Sequence, residues 1–190
     1  MRDIDVRRAL HADLREVHEP ELNETRFVDE LGLCGEVRVD VAVLNGSFSG
    51  YEIKSAKDSL KRLPKQIDFY SRTLDYAILV CAENHLFEAL GYLPKWWGVQ
   101  IARENSSRDV SLVDYRPARA NPCIQAEYLV QLLWKDEMLE ELTLREADRG
   151  VRSKSRKDIA CRLVDTCTLE ELRHMVRLRL KSRVNWRVDK

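Results

Sequence analysis

Glu36-Val37-Arg38-Val39-Asp40-Val41-Ala42-Val43-Leu44, followed by Asn45-Gly46 and then Ser49-Gly50-Tyr51-Glu52-Ile53-Lys54, is the stretch whose reading decides the fold. The first run puts valine at every odd position from 37 to 43, the period-two pattern of a strand with one apolar face. Asp40 therefore falls on the less apolar face, with Arg38. In the second run Glu52 and Lys54 share a face while Tyr51, Ile53 and Ser55 point away. Asn-Gly between the two runs signals a hairpin. A strict two-residue loop pairs Leu44 with Ser47 and sets Asp40 opposite Tyr51, which sends Glu52 to the other face. For Asp40 and Glu52 to meet, the hairpin needs a one-residue offset. A three-residue loop ending in a bulge, or a bulge near Ser49-Gly50, supplies it, and such an offset is expected.

These residue types suit one chemistry. A phosphodiester is an anion attacked by water, so a hydrolytic site needs a hard cation that draws charge off phosphate oxygens and acidifies bound water. Mg²⁺ and Mn²⁺ select carboxylate and carbonyl oxygens. Asp40 and Glu52 supply two carboxylates, the Ile53 carbonyl a third oxygen, and Lys54 orients or helps deprotonate the water. The competing reading of the same charges is a surface ion-pair cluster on a half-exposed sheet. If the residues are catalytic, Asp40→Ala or Lys54→Ala is expected to abolish cleavage and leave thermal stability almost unchanged.

The next segment favours the catalytic reading. Ser55-Ala56-Lys57-Asp58 has the form of a capping box and predicts a helix directly after Lys54, with Leu60, Leu63, Ile67, Tyr70 and Leu74 keeping a helical period. Pro64 kinks or restarts that helix. Gln66 and Tyr70, four apart, share a face, where an amide and a phenol can touch a nucleic-acid phosphate or brace Lys54.

Asp40, Glu52-Ile53-Lys54 and Gln66-Ile67-Asp68-Phe69-Tyr70, in this order, resemble the motif set of the PD-(D/E)XK nuclease superfamily, its RecB-like branch in particular. Gly50-Tyr51-Glu52-Ile53-Lys54-Ser55, Asp58-Ser59-Leu60-Lys61-Arg62-Leu63 and Pro94-Lys95-Trp96-Trp97-Gly98 resemble a group of small bacterial and phage proteins within it. Val39 stands where the superfamily's name has proline. The resemblance implies an α/β fold with a restriction-endonuclease-like mixed sheet flanked by helices. It also implies Mg²⁺ or Mn²⁺ held by Asp40, Glu52 and Ile53, and a further acid from a helix before the first strand. Glu30 best matches that acid, with Glu19, Glu21 and Glu24 as competitors. The implied function is metal-dependent hydrolysis of DNA; the alternative is a catalytically inactive nucleic-acid-binding or regulatory protein on the same fold.

Composition sets wide bounds. With 190 residues, 44% apolar and 34% charged, the chain can form one core with an appendage. No apolar run reaches the ~20 residues of a membrane span, and the first residues lack the apolar core of a secretory signal. The cytoplasm is the expected compartment. Five cysteines without C-x-x-C spacing suggest neither a disulfide framework nor a zinc ribbon.

The zero net charge divides along the chain: residues 125–148 carry 7 acidic and 2 basic groups, and residues 150–190 carry 5 acidic and 12 basic ones. That makes the C-terminal segment the electrostatic candidate for backbone contact, with Arg152, Lys154, Arg156 and Lys157 as its first contacts. DNA is the expected partner, a membrane is not, and pairing of two copies of the chain is left open.

Helices are expected at 4–16 and 21–31, a strand at 76–81, a short helix at 85–90, and a strand pair at 98–102 and 110–115. Asn121-Pro122 marks the boundary between a nuclease-like core, 1–120, and a helical basic segment, 121–190. There an amphipathic helix spans 128–142 and two more cover 156–165 and 169–181, the last opened by the Thr168–Glu171 capping box.

Overall fold

The computed structural model describes residues 1–183. They form two compact units that divide between Cys123 and Ile124.

The first unit is a six-stranded mixed sheet with helices. Its strands are β1 (Arg26–Leu33), β2 (Val37–Leu44), β3 (Phe48–Lys54), β4 (Tyr76–Ala82), β5 (Gly98–Glu104) and β6 (Val110–Arg116), neighbours in sequence order. The pairs β3–β4 and β4–β5 are parallel, the others antiparallel. Helix α1 (Asp3–Val17) repeats Val6, Leu10 and Leu14 at four-residue spacing, and this stripe packs with Val41, Val43, Ile53, Ile78 and Val80. Parallel neighbours need crossovers, and α2 (Leu63–Thr73) and α3 (Leu86–Leu90) lie in them. This is the α/β class with a mixed sheet flanked by helices.

The β2–β3 hairpin has the offset that the site requires. Leu44 pairs with Phe48 across a three-residue turn, and Val41 pairs with Tyr51. The Asn45 side chain closes the turn, its Oδ1 accepting from Ser47 N at 3.0 Å and Ser47 Oγ at 3.1 Å. Continued one step, the register sets Asp40 across from Glu52.

Two expectations need correction here. Residues 21–31 do not form a helix: β1 pairs along β2 from Arg26–Leu44 to Leu33–Val37. The strand buries Val28, Leu31 and Leu33. The chain reverses through Cys34 and Gly35, at φ 55° and 72°, a left-handed turn that glycine makes accessible. Pairing with an apolar neighbour outweighs the helical propensity of a glutamate-rich run.

Nor does a helix begin directly after Lys54. Asp58 Oδ2 accepts from the Ser55 amide and hydroxyl, each at 2.7 Å, but this box closes only a turn. After a 3₁₀ turn at Leu60–Arg62, α2 starts at Leu63 with Pro64 in its first turn, where a missing N–H costs no hydrogen bond. Its end packs tightly on β3: a Cβ on Gly50 would lie 2.4 Å from Leu74 Cδ1.

The second unit holds α4 (Ala126–Leu129), α5 (Lys135–Leu144), α6 (Arg156–Thr166) and α7 (Leu169–Ser182). The single helix expected over 128–142 is broken. A 3₁₀ turn, Val130–Leu132, ends in extended Leu133, and that break lets Val130, Leu132 and Leu133 all be buried. The capping box at Thr168 is formed.

The opposed charge blocks compensate one another within this unit. Arg179 donates to Glu140 at 2.6 Å and Glu141 at 2.8 Å, Arg145 to Glu141 at 2.6 Å, and Arg183 to Glu137 at 2.6 and 2.8 Å. Among the described residues no helix is long and apolar enough to cross a membrane. All five cysteines are free thiols.

Candidate active site

Asp40 sits at an interruption in its strand. The β1–β2 ladder keeps one register throughout yet skips the Glu30–Asp40 pair, and Glu30 takes φ 54° there. An interrupted ladder leaves backbone groups seeking partners. Arg7, from α1, supplies one: its Nη1 donates to the Asp40 carbonyl at 2.5 Å, while Nη2 lies 2.9 Å from Glu30 Oε1 and 3.6 Å from Asp40 Oδ1. On its other side Asp40 Oδ2 accepts from the Ile53 amide at 2.7 Å. The carboxylate is thus held across the end of the hairpin.

Glu52 and Lys54 are buried, at 1% and 3% exposure, so the surface ion-pair reading fails on placement. Glu52 Oε1 accepts from Lys54 Nζ and Gln66 Nε2, each at 2.5 Å, and Oε2 accepts from the Tyr70 hydroxyl at 2.5 Å. Lys54 Nζ also donates to Gln66 Oε1 at 3.1 Å. A buried charge persists when it is paired and hydrogen-bonded, and here two residues of one helix face do this for β3. Tyr70 in turn stacks on the buried Trp97, with ring centroids 5.4 Å apart and planes at 12°.

Of the two roles expected for Gln66 and Tyr70, phosphate contact or bracing Lys54, the structure shows bracing by Gln66, which also lines a cavity beside Asp40. Polar atoms of both residues hold Glu52. Burial and the charge of Glu52 raise the Tyr70 phenol well above its ordinary pKa, so it remains a donor.

Asp40, Glu52, Ile53 and Lys54 line one cavity of about 320 Å³, which the exposed Lys61 and Arg62 also reach. Asp40 and Arg62 line a second cavity too, of about 730 Å³, with Arg7, Glu30, Arg38 and Lys65. Burial, then the charge of Glu52, pushes the Asp40 carboxyl up to about 7, against the pull of the Ile53 amide, Lys54 and Arg7. For Arg7, desolvation works downward, but Asp3, Asp40 and Glu30 outweigh it and raise its pKa.

Glu30 is a correction as well. It lies on a strand rather than a helix, and its carboxylate faces Arg7 at 2.9 Å and Arg38 at 3.5 Å. Its competitor Glu21 binds His18 and Asn45 at the far hairpin turn. Among the described residues no group of three or more His, Cys, Asp or Glu side chains converges as an ion would need. Asp40, Glu52 and Ile53 share the lining of the smaller cavity.

The other expected contacts lie in the second unit. Arg152 binds Asp148 at 2.5 Å, Arg156 donates to the carbonyls of Gln131 and Leu133, and Lys154 and Lys157 are exposed. Residues 184–190 of the basic segment lie outside the described residues.

Arg7 carried no sequence signal, since nothing in the local pattern ties residue 7 to residue 40. Lys61 and Arg62 lie in Asp58-Ser59-Leu60-Lys61-Arg62-Leu63, where no local pattern marks them as functional.

Compared with known proteins, residues 13–189 match the model of the family described as bacteriophage P4 protein cII. The chain belongs to the bacteriophage P4 protein cII family. That span contains Asp40, Glu52, Lys54, Gln66 and Tyr70, and leaves Arg7 outside. Protein cII of Enterobacteria phage P4 is 31% identical over 87 residues, 45% of this chain and 33% of that relative, so the match spans a third of the relative's length. A protein of unknown function from Silicibacter pomeroyi is 18% identical, with a TM-score of 0.42 over 75% of this chain and 94% of that one.

Proposed function

We propose that this cII-family chain is a metal-dependent nuclease that hydrolyses DNA phosphodiester bonds, built on a PD-(D/E)XK-type site. One observation carries the reading: Asp40, Glu52, Ile53 and Lys54 line a single open cavity. The donor chemistry fits a hard divalent cation, because it is all oxygen. The elevated Asp40 pKa, owed to burial and then to Glu52, marks a place where added positive charge is favourable. Asp40, Glu52 and the Ile53 carbonyl would hold Mg²⁺ or Mn²⁺. When bound, the ion supplies charge neutralisation at the phosphate and acidification of its water.

The chain's own groups do the rest. Lys54, fixed by Glu52 and Gln66, presents its ammonium to the cavity, where it orients the attacking water and stabilises developing negative charge. The Ile53 amide and Arg7 hold Asp40 in place, and Tyr70 and Gln66 hold Glu52, so the acids do not reorganise as substrate arrives. Glu30 is engaged by Arg7 and adjusts the field from outside. Five free thiols accord with a reducing compartment, the cytoplasm.

A second reading has its own support. Both Glu52 carboxylate oxygens already accept hydrogen bonds from Lys54, Gln66 and Tyr70, which suits a nucleic-acid-binding or regulatory protein on the same fold without turnover. Incubation with Mn²⁺ or Mg²⁺ and linear, circular, single-stranded and branched DNA, beside Asp40→Ala, separates the two. The nuclease reading expects a metal-dependent product that Asp40→Ala abolishes. A shifted band without product favours the binder, and cleavage by Asp40→Ala at the wild-type rate sinks the site.

A further inference from the structure

We infer that Lys61 and Arg62 are the phosphate-backbone contact of this cavity, gripping a DNA strand beside Asp40. The inference rests on the reading above only for the identity of the polyanion as DNA.

Neighbouring cations are engaged within the fold. Arg7 serves Asp3, Glu30 and Asp40; Lys54 serves Glu52; Lys65 lies 2.8 Å from Glu36; Arg38 lies 3.5 Å from Glu30. Lys61 and Arg62 are exposed side chains at the mouth of the cavity, and Arg62 reaches both cavities that meet at Asp40. A cation with no carboxylate against it needs no internal pair broken before it meets an incoming anion.

Their base is fixed. The 3₁₀ turn that carries them lies between Leu60 and Leu63, both buried, and Ser59 Oγ accepts from the Lys61 amide at 3.2 Å. A polyanion approaching Asp40 and Glu52 meets repulsion, and two cations at the mouth offset it. The C-terminal run is a weaker candidate than its charge count suggested, because Arg152 and Arg156 are engaged by Asp148 and by backbone carbonyls.

The test is fluorescence anisotropy of labelled 20-base-pair duplex and 20-base single-stranded DNA, in EDTA to prevent cleavage, from 50 to 200 mM KCl. Lys61→Glu/Arg62→Glu should weaken binding at least ~10-fold and flatten the plot of log affinity against log salt by about 2, one unit for each lost phosphate contact. Lys61→Ala/Arg62→Ala loses the same two contacts without adding repulsion, so it should flatten the slope by about as much and weaken binding by less. Both side chains are exposed and, among the described residues, neither head group has a hydrogen bond or ion pair, so unchanged circular dichroism and Tm are expected. Wild-type affinity and slope in Lys61→Glu/Arg62→Glu would overturn the proposal, as would a larger loss in Lys154→Glu/Lys157→Glu, or no binding by the wild type. Metal-dependent cleavage, assayed separately on the same proteins, reads the nuclease proposal alone. Cleavage with no effect of Lys61→Glu/Arg62→Glu sinks this contact and spares the nuclease, and charge-sensitive binding without any product does the reverse.

Discussion

Arg7 Nη1 donates to the backbone carbonyl of Asp40 at 2.5 Å, joining the N-terminal helix to the point where the β1–β2 ladder is interrupted. Arg7→Met leaves that carbonyl and Glu30 without their donor, which should cost about 1–3 kcal/mol. Arg7→Lys, with one ammonium in place of a planar fork, should recover only part of it. Urea denaturation of the three proteins measures this. A wild-type midpoint for Arg7→Met would show that the contact does not hold the strand.

The acidity of Asp40 gives a signed pH dependence. Its folded pKa of about 7 exceeds the unfolded value of 3.8, with burial first and Glu52 second among the causes. The folded protein therefore holds a proton that the unfolded chain has released, and stability falls as pH rises through this window. Below pH 4 this destabilisation is absent; above pH 7 it is complete. In EDTA, Asp40→Asn should be more stable than wild type at pH 8, by at most about 4 kcal/mol for a rise from 3.8 to about 7, and the difference should fade toward pH 4. Urea denaturation at pH 4, 6 and 8 checks it, and a difference independent of pH would refute the assignment. Cleavage, which needs the carboxylate, should rise over pH 6 to 8.

Lys54 and Glu52 form a buried pair at 2.5 Å, so the expectation that Lys54→Ala leaves stability almost unchanged needs revision. Truncating one member strands the other's charge, typically at about 3–5 kcal/mol. Lys54→Met should therefore lower Tm clearly, with Gln66 and Tyr70 limiting the loss. The double variant Glu52→Gln/Lys54→Met should regain most of it while remaining inactive. A double-mutant cycle with no coupling between the two would count against the pair.

Much of this was legible in the sequence, and the reason is periodicity. Alternating valines in β2, the Asn45-Gly46 turn and the Leu/Ile/Tyr repeat of α2 follow from local geometry. So the hairpin, the helix carrying Gln66 and Tyr70, and the shared face of Glu52 and Lys54 are legible in the sequence alone. The offset in the hairpin was a deduction from chemistry: only one register lets Asp40 and Glu52 meet.

Tertiary structure decided what depends on partners distant in the chain. Residues 26–33 became a strand because β2 offers an apolar edge that no local propensity encodes. Gln66 and Tyr70 turned inward because a carboxylate at 1% exposure must be satisfied where water cannot reach. Arg7 came to Asp40 through the packing of α1, and Arg179 and Arg183 of the basic C-terminal segment were taken up by glutamates of α5. A sequence records which groups exist and how neighbours alternate; burial and long-range pairing determine which charges remain free to act.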